Sequence, residues 1–366
     1  SRTGDGRAAL KPMIREYLIS EAMFSLNIPT SRSLCVVATG ENINREKLLP
    51  GAILTRVASS HIRIGTFQYA YLKNDHSLLK ELFNYTLRRH YDHINKNNNV
   101  VLEFLYEVMI KQIDLVINWM RVGFVHGVMN TDNIALSGET IDYGPCAFMN
   151  TYNPKTVFSS IDYMGRYSYL NQSIIMQWNL ARFAETLIPL IDENKKKSVN
   201  LASEIIEEFD KIYNKKWLSM MKKKLGLFGK FSEDKEIVDG LLILMEKHSA
   251  DFTNTFAFLK CKDLPKIDFF NNYAFKNWHK KWKERLKKNN RSEDEAYGLM
   301  KSVNPEIIPR NKLVEIILDD VSSKNFSSMN EFINVYSKPY AITDNINKYQ
   351  FENITDDKGF QTFCGT

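Results

Sequence analysis

The chain has 366 residues, 44% of them apolar and 25% charged, and a net charge of +6. That length suits two lobes with a sizeable core, and the balance excludes wholesale disorder. The counts of 16 glycines and 10 prolines fall below the usual ~7% and ~5%, which disfavours collagen-like, linker-rich and short-turn all-β chains and favours helices.

Residues 1–10 read as a loop, with Asp5 between Gly4 and Gly6. Apolar spacing predicts a helix from Lys11 to about Leu26, ended near Pro29. Ser33–Thr39 reads as a strand. Ala52–Ala58 and His61–Ala70 are two further β-rich runs, with a break at Ser59 and Ser60. Residues 1–72 thus form a small α+β unit. Leu78–Asn95 and, more strongly, Val100–Val122 are helix candidates. Residues 150–170 read as an irregular loop. From Ile174 to Tyr336 the pattern gives about eight amphipathic helices, broken at Gly226–Gly229, Asp263–Pro265 and Val303–Pro309. The predicted class is α+β: a small lobe (1–72), a large helical lobe (73–340) and a tail (341–366). That layout is compatible with a protein-kinase-like bilobal fold, although architecture alone assigns no function.

No run of ~18 apolar residues is present, so no transmembrane helix is expected. The mild positive balance admits polyphosphate or acidic partners and does not specify nucleic acid. Cys35, Cys146, Cys261 and Cys364 are scattered, which suits reduced thiols in a cytoplasmic protein. The histidines show no metal-ligand spacing. Basic runs at Lys222–Lys224 and Lys276–Arg291, the latter with Trp278 and Trp282, read as solvated helix faces over buried Trp.

The chemistry concentrates in residues 126–145, HGVMNTDNIALSGETIDYGP. A long apolar helix ends at Val122. A polar loop follows, then a predicted hairpin of Ile134–Leu136 and Thr140–Ile141, which delivers Asp142. Asp132, Asn133 and Asp142 are thereby brought together from the two ends of one hairpin. Asn and Asp oxygens are hard ligands suited to Mg²⁺ beside phosphates. A second carboxylate nearby can accept a proton from an attacking hydroxyl. The stretch resembles a kinase catalytic loop and its DFG element, with DYG in place of DFG. His126 precedes Asn133 by seven residues, as in kinases. Val128 stands where a kinase carries its base, and Asp132 sits beside the Asn instead, so ordinary phosphoryl transfer is disfavoured.

The same run, with SRTGDGRAAL, IREYLISEAM, RVASSHIRIGTFQYA, GRYSYLNQ, QWNLARFAETLIPLI, MKKKLGLF, VNPEIIPRN and the terminal FCGT, resembles the selenoprotein O (SelO/YdiU) family over nearly the whole chain. The resemblance implies a kinase-like fold that binds ATP in a flipped orientation and transfers AMP to Ser, Thr or Tyr hydroxyls of proteins. Some bacterial members use UTP with Mn²⁺. It implies Asp132 as general base, Asn133 and Asp142 as ligands of Mg²⁺ or Mn²⁺, and Asp142, Arg56, Arg63, Asp5 and Gly6 as nucleotide-binding residues. Arg56 and Arg63 would grip the outer phosphates, a task suited to always-cationic, bidentate guanidinium groups. If 56–63 were one straight strand, the two would face opposite sides. A break at Ser59–Ser60 lets both face one pocket. Glu16 matches the helix Glu that pairs with a nucleotide-binding Lys.

The resemblance further implies that a Gly-rich loop and that Lys precede the segment starting here. The expectation is a fragment with poor catalysis alone. The competing readings are a non-catalytic pseudokinase module that binds nucleotide or a partner, and a UTP-dependent uridylyltransferase. Protein substrates and ATP are the expected partners, with no nucleic acid and no membrane. The Lys/Asn/Ile-rich composition suggests a bacterial cytoplasm, and a mitochondrion if the source is eukaryotic. Cys364 lies near the position of the family's C-terminal selenocysteine, and a bystander thiol is the favoured reading. The loop at 150–170, with Ser159, Ser160 and Tyr163, follows DYG as an activation segment would.

Overall fold

The computed structural model describes residues 5–45, 47–94, 99–261, 263–342, 346–350, 357 and 359–363. The fold is α+β, with small sheets and a helical majority. Ala8–Ala9 (β1), Arg32–Asn44 (β2) and Leu48–Val57 (β3) form an antiparallel sheet in the order β1-β3-β2. The register pairs Ser33 with Arg56, and Ala9 with Gly51. Leu10–Ser25 (α1) packs on β2 and β3. Its buried residues Ile14, Leu18, Ala22 and Met23 recur at helical spacing.

The second β-rich run is not a strand. Ile64–Leu72 is a helix (α2) whose buried residues are Ile64, Phe67 and Ala70. The three-residue spacing of those apolar residues overrides their β propensity. Phe67 then meets Phe183 edge-on, with ring centroids 5.2 Å apart. The predicted break is real: β3 ends at Val57, and Arg63 caps α2.

Asp75 caps His76–His90 (α3) by accepting from Leu78 N at 3.0 Å. This helix ends five residues before the predicted Asn95, which lies outside the described residues. Tyr91 leaves the helical path because its buried hydroxyl donates to Leu136 O at 2.5 Å. Val100–Val122 (α4) is the spine of the helical part. Phe104, Leu105, Val108, Met109, Ile113 and Val116 on it are fully buried. Phe124–Val125 (β4) pairs with Ala147–Phe148 (β5) and closes the base of the loop between them.

Ten helices, rather than about eight, follow among the described residues: Gln172–Ile191 (α5), Lys195–Glu207 (α6), Phe209–Lys224 (α7), Asp234–Lys247 (α8), Phe252–Leu259 (α9), Asp268–Asn271 (α10), Tyr273–Leu286 (α11), Glu293–Val303 (α12), Asn311–Ser322 (α13) and Ser327–Tyr336 (α14). The surplus arises where α5, α6 and α7 abut with little polar linker, and from the single turn of α10. The predicted breaks fall between helices, except that Val303 is still the last residue of α12. Trp278 and Trp282 stack at 5.9 Å in the interior while Lys276, Lys280 and Lys281 face solvent. A last short helix, Ile346–Gln350 (α15), interrupts the predicted tail. No helix among the described residues is long and apolar enough to cross a membrane.

The tail is anchored. Asp357 accepts from Asn150 N at 2.6 Å, Asn150 Nδ2 at 2.8 Å and Asn311 Nδ2 at 3.2 Å. Thr362 N donates to Phe158 O at 2.8 Å, and Ser160 N donates to Thr362 O at 3.0 Å. The segment after DYG is thereby paired with the chain's own C-terminal residues. Cys364 lies outside the described residues.

Candidate active site

The loop between β4 and β5 carries the predicted constellation. Its base is rigid. His126 is fully buried; its Nε2–H donates to Ile141 O at 2.9 Å and its Nδ1 accepts from Val128 N at 3.4 Å. Burial pushes this imidazole below its ordinary pKa, against the opposing pull of Asp142. A neutral ring bonded at both nitrogens ties the two limbs of the loop together and is no base. Gly127 has φ +87°, and a Cβ there would fall 2.4 Å from Pro145 O, so the two limbs approach as only glycine allows.

The predicted hairpin is nearly all turn. It retains one antiparallel bridge, Ile134 to Thr140. Gly138 N donates within the turn to Ala135 O at 3.1 Å, and two further backbone bonds go outward: Thr140 N donates to Pro29 O at 2.9 Å, and Leu136 N donates to Ile62 O at 2.9 Å. Those partners come from the chain after α1 and before α2, so the sheet side and the helical side meet at this loop. Three helix side chains support it. Gln112 Nε2 donates to Ala135 O at 2.7 Å, Gln172 Oε1 accepts from His126 N at 3.0 Å, and Asn179 Nδ2 donates to Met129 O at 2.9 Å. Sequence reasoning missed all three. Their signal is a polar residue set among apolar ones on an otherwise buried helix stripe.

Asp132, Asn133 and Asp142 converge as predicted. Thr131–Asn133 is a single 3₁₀ turn, held by Asp132 N donating to Asn130 Oδ1 at 3.0 Å. Asn133 Nδ2 donates to Val128 O at 3.0 Å and to Asp142 Oδ2 at 2.6 Å. Asp142 sits at φ +66°, a left-handed conformation that a non-glycine residue adopts at a cost of ~1–3 kcal/mol. Asp132 is exposed, with its carboxylate over the first turn of α2. A Cβ on Gly65 would fall 2.1 Å from Asp132 Oδ1.

Both amide hydrogens of Asn133 are used, so its Oδ1 remains as an acceptor that could hold a cation. No protein donor reaches Asp142 Oδ1 among the described residues. One carboxylate plus one amide oxygen fits Mg²⁺ or Mn²⁺, ions that complete their shell with water and phosphate oxygens. Among the described residues no cluster of three or more His, Cys, Asp or Glu forms an all-protein metal cage, so the donor set suits a nucleotide-borne metal.

The two arginines flank this cluster from separate elements. Arg63 Nη1 donates to Asp132 O at 3.1 Å, and its Nε is buried without a partner. Arg56, near the end of β3, forks onto Glu16 of α1, with Nε to Oε2 at 2.9 Å and Nη2 to Oε1 at 2.5 Å. Burial pushes the Glu16 carboxyl above its ordinary pKa, with Arg56 opposing and Asp142 adding to the rise. Glu16 was expected to await a Lys and Arg56 to await phosphate; here they satisfy each other. A 5%-exposed carboxylate requires a cation, and among the described residues Arg56 is the one that pairs with it.

Asp5 and Gly6 are not brought to the cluster. Asp5 is bound by Arg45 through two contacts of 3.0 Å and by Arg7 N, which hold its carboxyl down at about 2. Arg45 lies at the turn between β2 and β3, the opposite end of the hairpin from Arg56.

A profile of the family described as protein adenylyltransferase SelO matches residues 1–337. The chain belongs to this family. Relatives named protein nucleotidyltransferase YdiU are similar along all of the chain. That of Nitrosococcus oceani is 49% identical over 367 positions and is covered over 74% of its own length. That of Bacillus cytotoxicus is 51% identical and 75% covered, and that of Pelagibacter ubique 50% identical and 76% covered.

Proposed function

We propose that the chain is a protein nucleotidyltransferase with a kinase-like, two-lobed layout, which moves AMP from ATP onto Ser, Thr or Tyr hydroxyls. In this reading the substrate oxygen attacks the α-phosphorus, the α–β phosphoanhydride bond breaks, and pyrophosphate leaves. The hydroxyl proton passes to Asp132. Asn133 and Asp142 would hold the divalent ion, which would neutralise phosphate charge. Arg63 and Arg56 stabilise the departing pyrophosphate. Arg56 faces phosphate with its Nη1, because its fork on Glu16 uses only Nε and Nη2 and sets the direction of the guanidinium.

The observation that carries the reading is the exposed Asp132 carboxylate beside a bonded Asn133–Asp142 pair, with Arg63 clamped to the same turn. An ordinary kinase reading lacks this support, because Val128 occupies the usual base position. The roles of Asp5 and Gly6 rest on family resemblance alone.

The test uses ATP labelled at the α- or the γ-phosphate, with mixed protein substrate, Mg²⁺ or Mn²⁺, and Asp142→Ala as control. Protein-bound α-label without γ-label is the expected result. Label from the γ-position alone would overturn it. A parallel arm with α-labelled UTP separates uridylyl from adenylyl transfer. Complete absence of label from all three nucleotides leaves the non-catalytic module as the standing alternative.

A further inference from the structure

On the far side of α4 from the catalytic loop lies a cavity of about 440 Å³, walled chiefly by α4 and α7, with Val303 and Tyr340 closing it. Each helix presents one face to it. Asp114, Asn118 and Arg121 line it from α4, and Lys216, Ser219 and Lys223 from α7. Both sets recur at the spacing of successive turns. At one end the helices are joined by a salt bridge, Lys216 Nζ to Asp114 Oδ1 at 2.6 Å. At the other end stand Arg121 and Lys223, and among the described residues no carboxylate pairs with either.

Arg121 is 8% exposed. Among the described residues its guanidinium donates only to neutral acceptors: Leu26 O at 2.7 Å, Val303 O at 3.0 Å, the Tyr340 hydroxyl at 2.6 Å and Asn118 Oδ1 at 3.3 Å. Directly behind it the buried Lys224 Nζ donates to Arg121 O at 2.7 Å. A buried cation is normally matched by an anion. Here the hydrogen bonds are made and the charge is unmatched, beside an open cavity with two free donors, the Lys223 ammonium and the Ser219 hydroxyl.

We infer that this cavity is a binding site for a small phosphate-bearing anion, distinct from the catalytic loop. Arg121 supplies a fixed, preorganised charge. Lys223 and Ser219 supply the movable donors. Asp114, neutralised by Lys216, bounds the site and sets its outer limit. The volume exceeds what one orthophosphate fills, so pyrophosphate is the better-fitting probe of the two simplest.

The experiment is isothermal titration of the full chain with inorganic phosphate and, separately, pyrophosphate, in chloride buffer of matched ionic strength without nucleotide. Three variants accompany it: Lys223→Glu, Ser219→Asp and Arg63→Ala. Both cavity positions are exposed, so these changes leave the fold intact, as an unchanged melting temperature would verify, and either suffices if the other misfolds. The expected result is saturable binding in the wild type, at least tenfold weaker in Lys223→Glu and Ser219→Asp, and preserved in Arg63→Ala. No binding in the wild type overturns the inference. So does binding unaffected by both cavity variants, or binding lost in Arg63→Ala, which would assign it to the catalytic loop.

Discussion

Asp132 rests on Gly65. The carboxylate of the proposed base lies where a Cβ at position 65 would stand, 2.1 Å from Asp132 Oδ1. The second helical residue of α2 is therefore glycine for the sake of a side chain on another element. Gly65→Ala must displace either the carboxylate or the first turn of α2. A misplacement of ~1 Å at a reacting group costs up to about 10²-fold in rate. The expected outcome is a loss of nucleotidyl transfer of that order, with metal and nucleotide binding retained. Thermal unfolding and nucleotide titration alongside the labelled-ATP assay check it. Unchanged transfer would show that Asp132 has freedom to move.

Glu16 and Arg56 bridge α1 to the end of β3 through a two-point contact. Glu16→Gln keeps the shape and removes the countercharge. Breaking a buried pair costs ~3–5 kcal/mol, and the 32% exposure of Arg56 reduces that to about 1–3 kcal/mol. In the proposed reaction the freed guanidinium also loses its preset direction. The nucleotide KM should then rise more than kcat falls. Urea unfolding and steady-state kinetics of Glu16→Gln beside Arg56→Lys separate the stability effect from the positioning effect.

The chemistry was more legible than the scaffold that supports it. Asp132, Asn133 and Asp142 stand close in sequence, so local spacing alone brings them together. The break between Arg56 and Arg63 was legible from Ser59 and Ser60. The helix after it was not, because Ile64, Phe67 and Tyr69 have β propensity and the burial of Ile64 and Phe67 against other elements decides the state. The Glu16–Arg56 pair joins residues 40 positions apart, and no local pattern encodes which cation a buried carboxylate will find. Gln112, Gln172 and Asn179 were visible as polar residues on apolar stripes, yet their targets are backbone atoms of a distant loop.

Asp357 ties the tail to Asn150 and Asn311, and burial raises its carboxyl to about 6 despite those donors. The folded state thus binds the proton more tightly than the unfolded chain, whose carboxyl titrates near 3.8. This stabilisation is complete below the unfolded value and is lost as pH rises through about 6. Between pH 5 and pH 7 the group costs about 1 kcal/mol of stability. Asp357→Asn cannot titrate, so its stability should change by that much less over the same interval. Denaturant unfolding of both proteins at the two pH values measures the difference. Equal pH dependence in the two would show that the carboxyl titrates normally.

Lys224 is the reverse case. It is 1% exposed, lies over the Phe256 ring at 4.0 Å, and has no carboxylate partner among the described residues. Burial, reinforced by Arg121 and Lys260, holds its amine well below the ordinary value. The unfolded chain then binds the extra proton, so this residue destabilises the fold at neutral pH and does so less as pH climbs toward the unfolded value of ~10.4. Lys224→Met removes the desolvated amine, keeps a flexible chain against Phe252 and Phe256, and leaves only Arg121 O short of a donor. An unmet carbonyl costs ~1 kcal/mol, less than the burial of an unpaired amine. The variant should therefore be more stable than wild type at pH 7 by about 1 kcal/mol or more, with the advantage shrinking by pH 9.5. Melting temperatures across that range decide it, and a destabilised variant at pH 7 would mean that the Lys224–Arg121 bond outweighs the charge it buries.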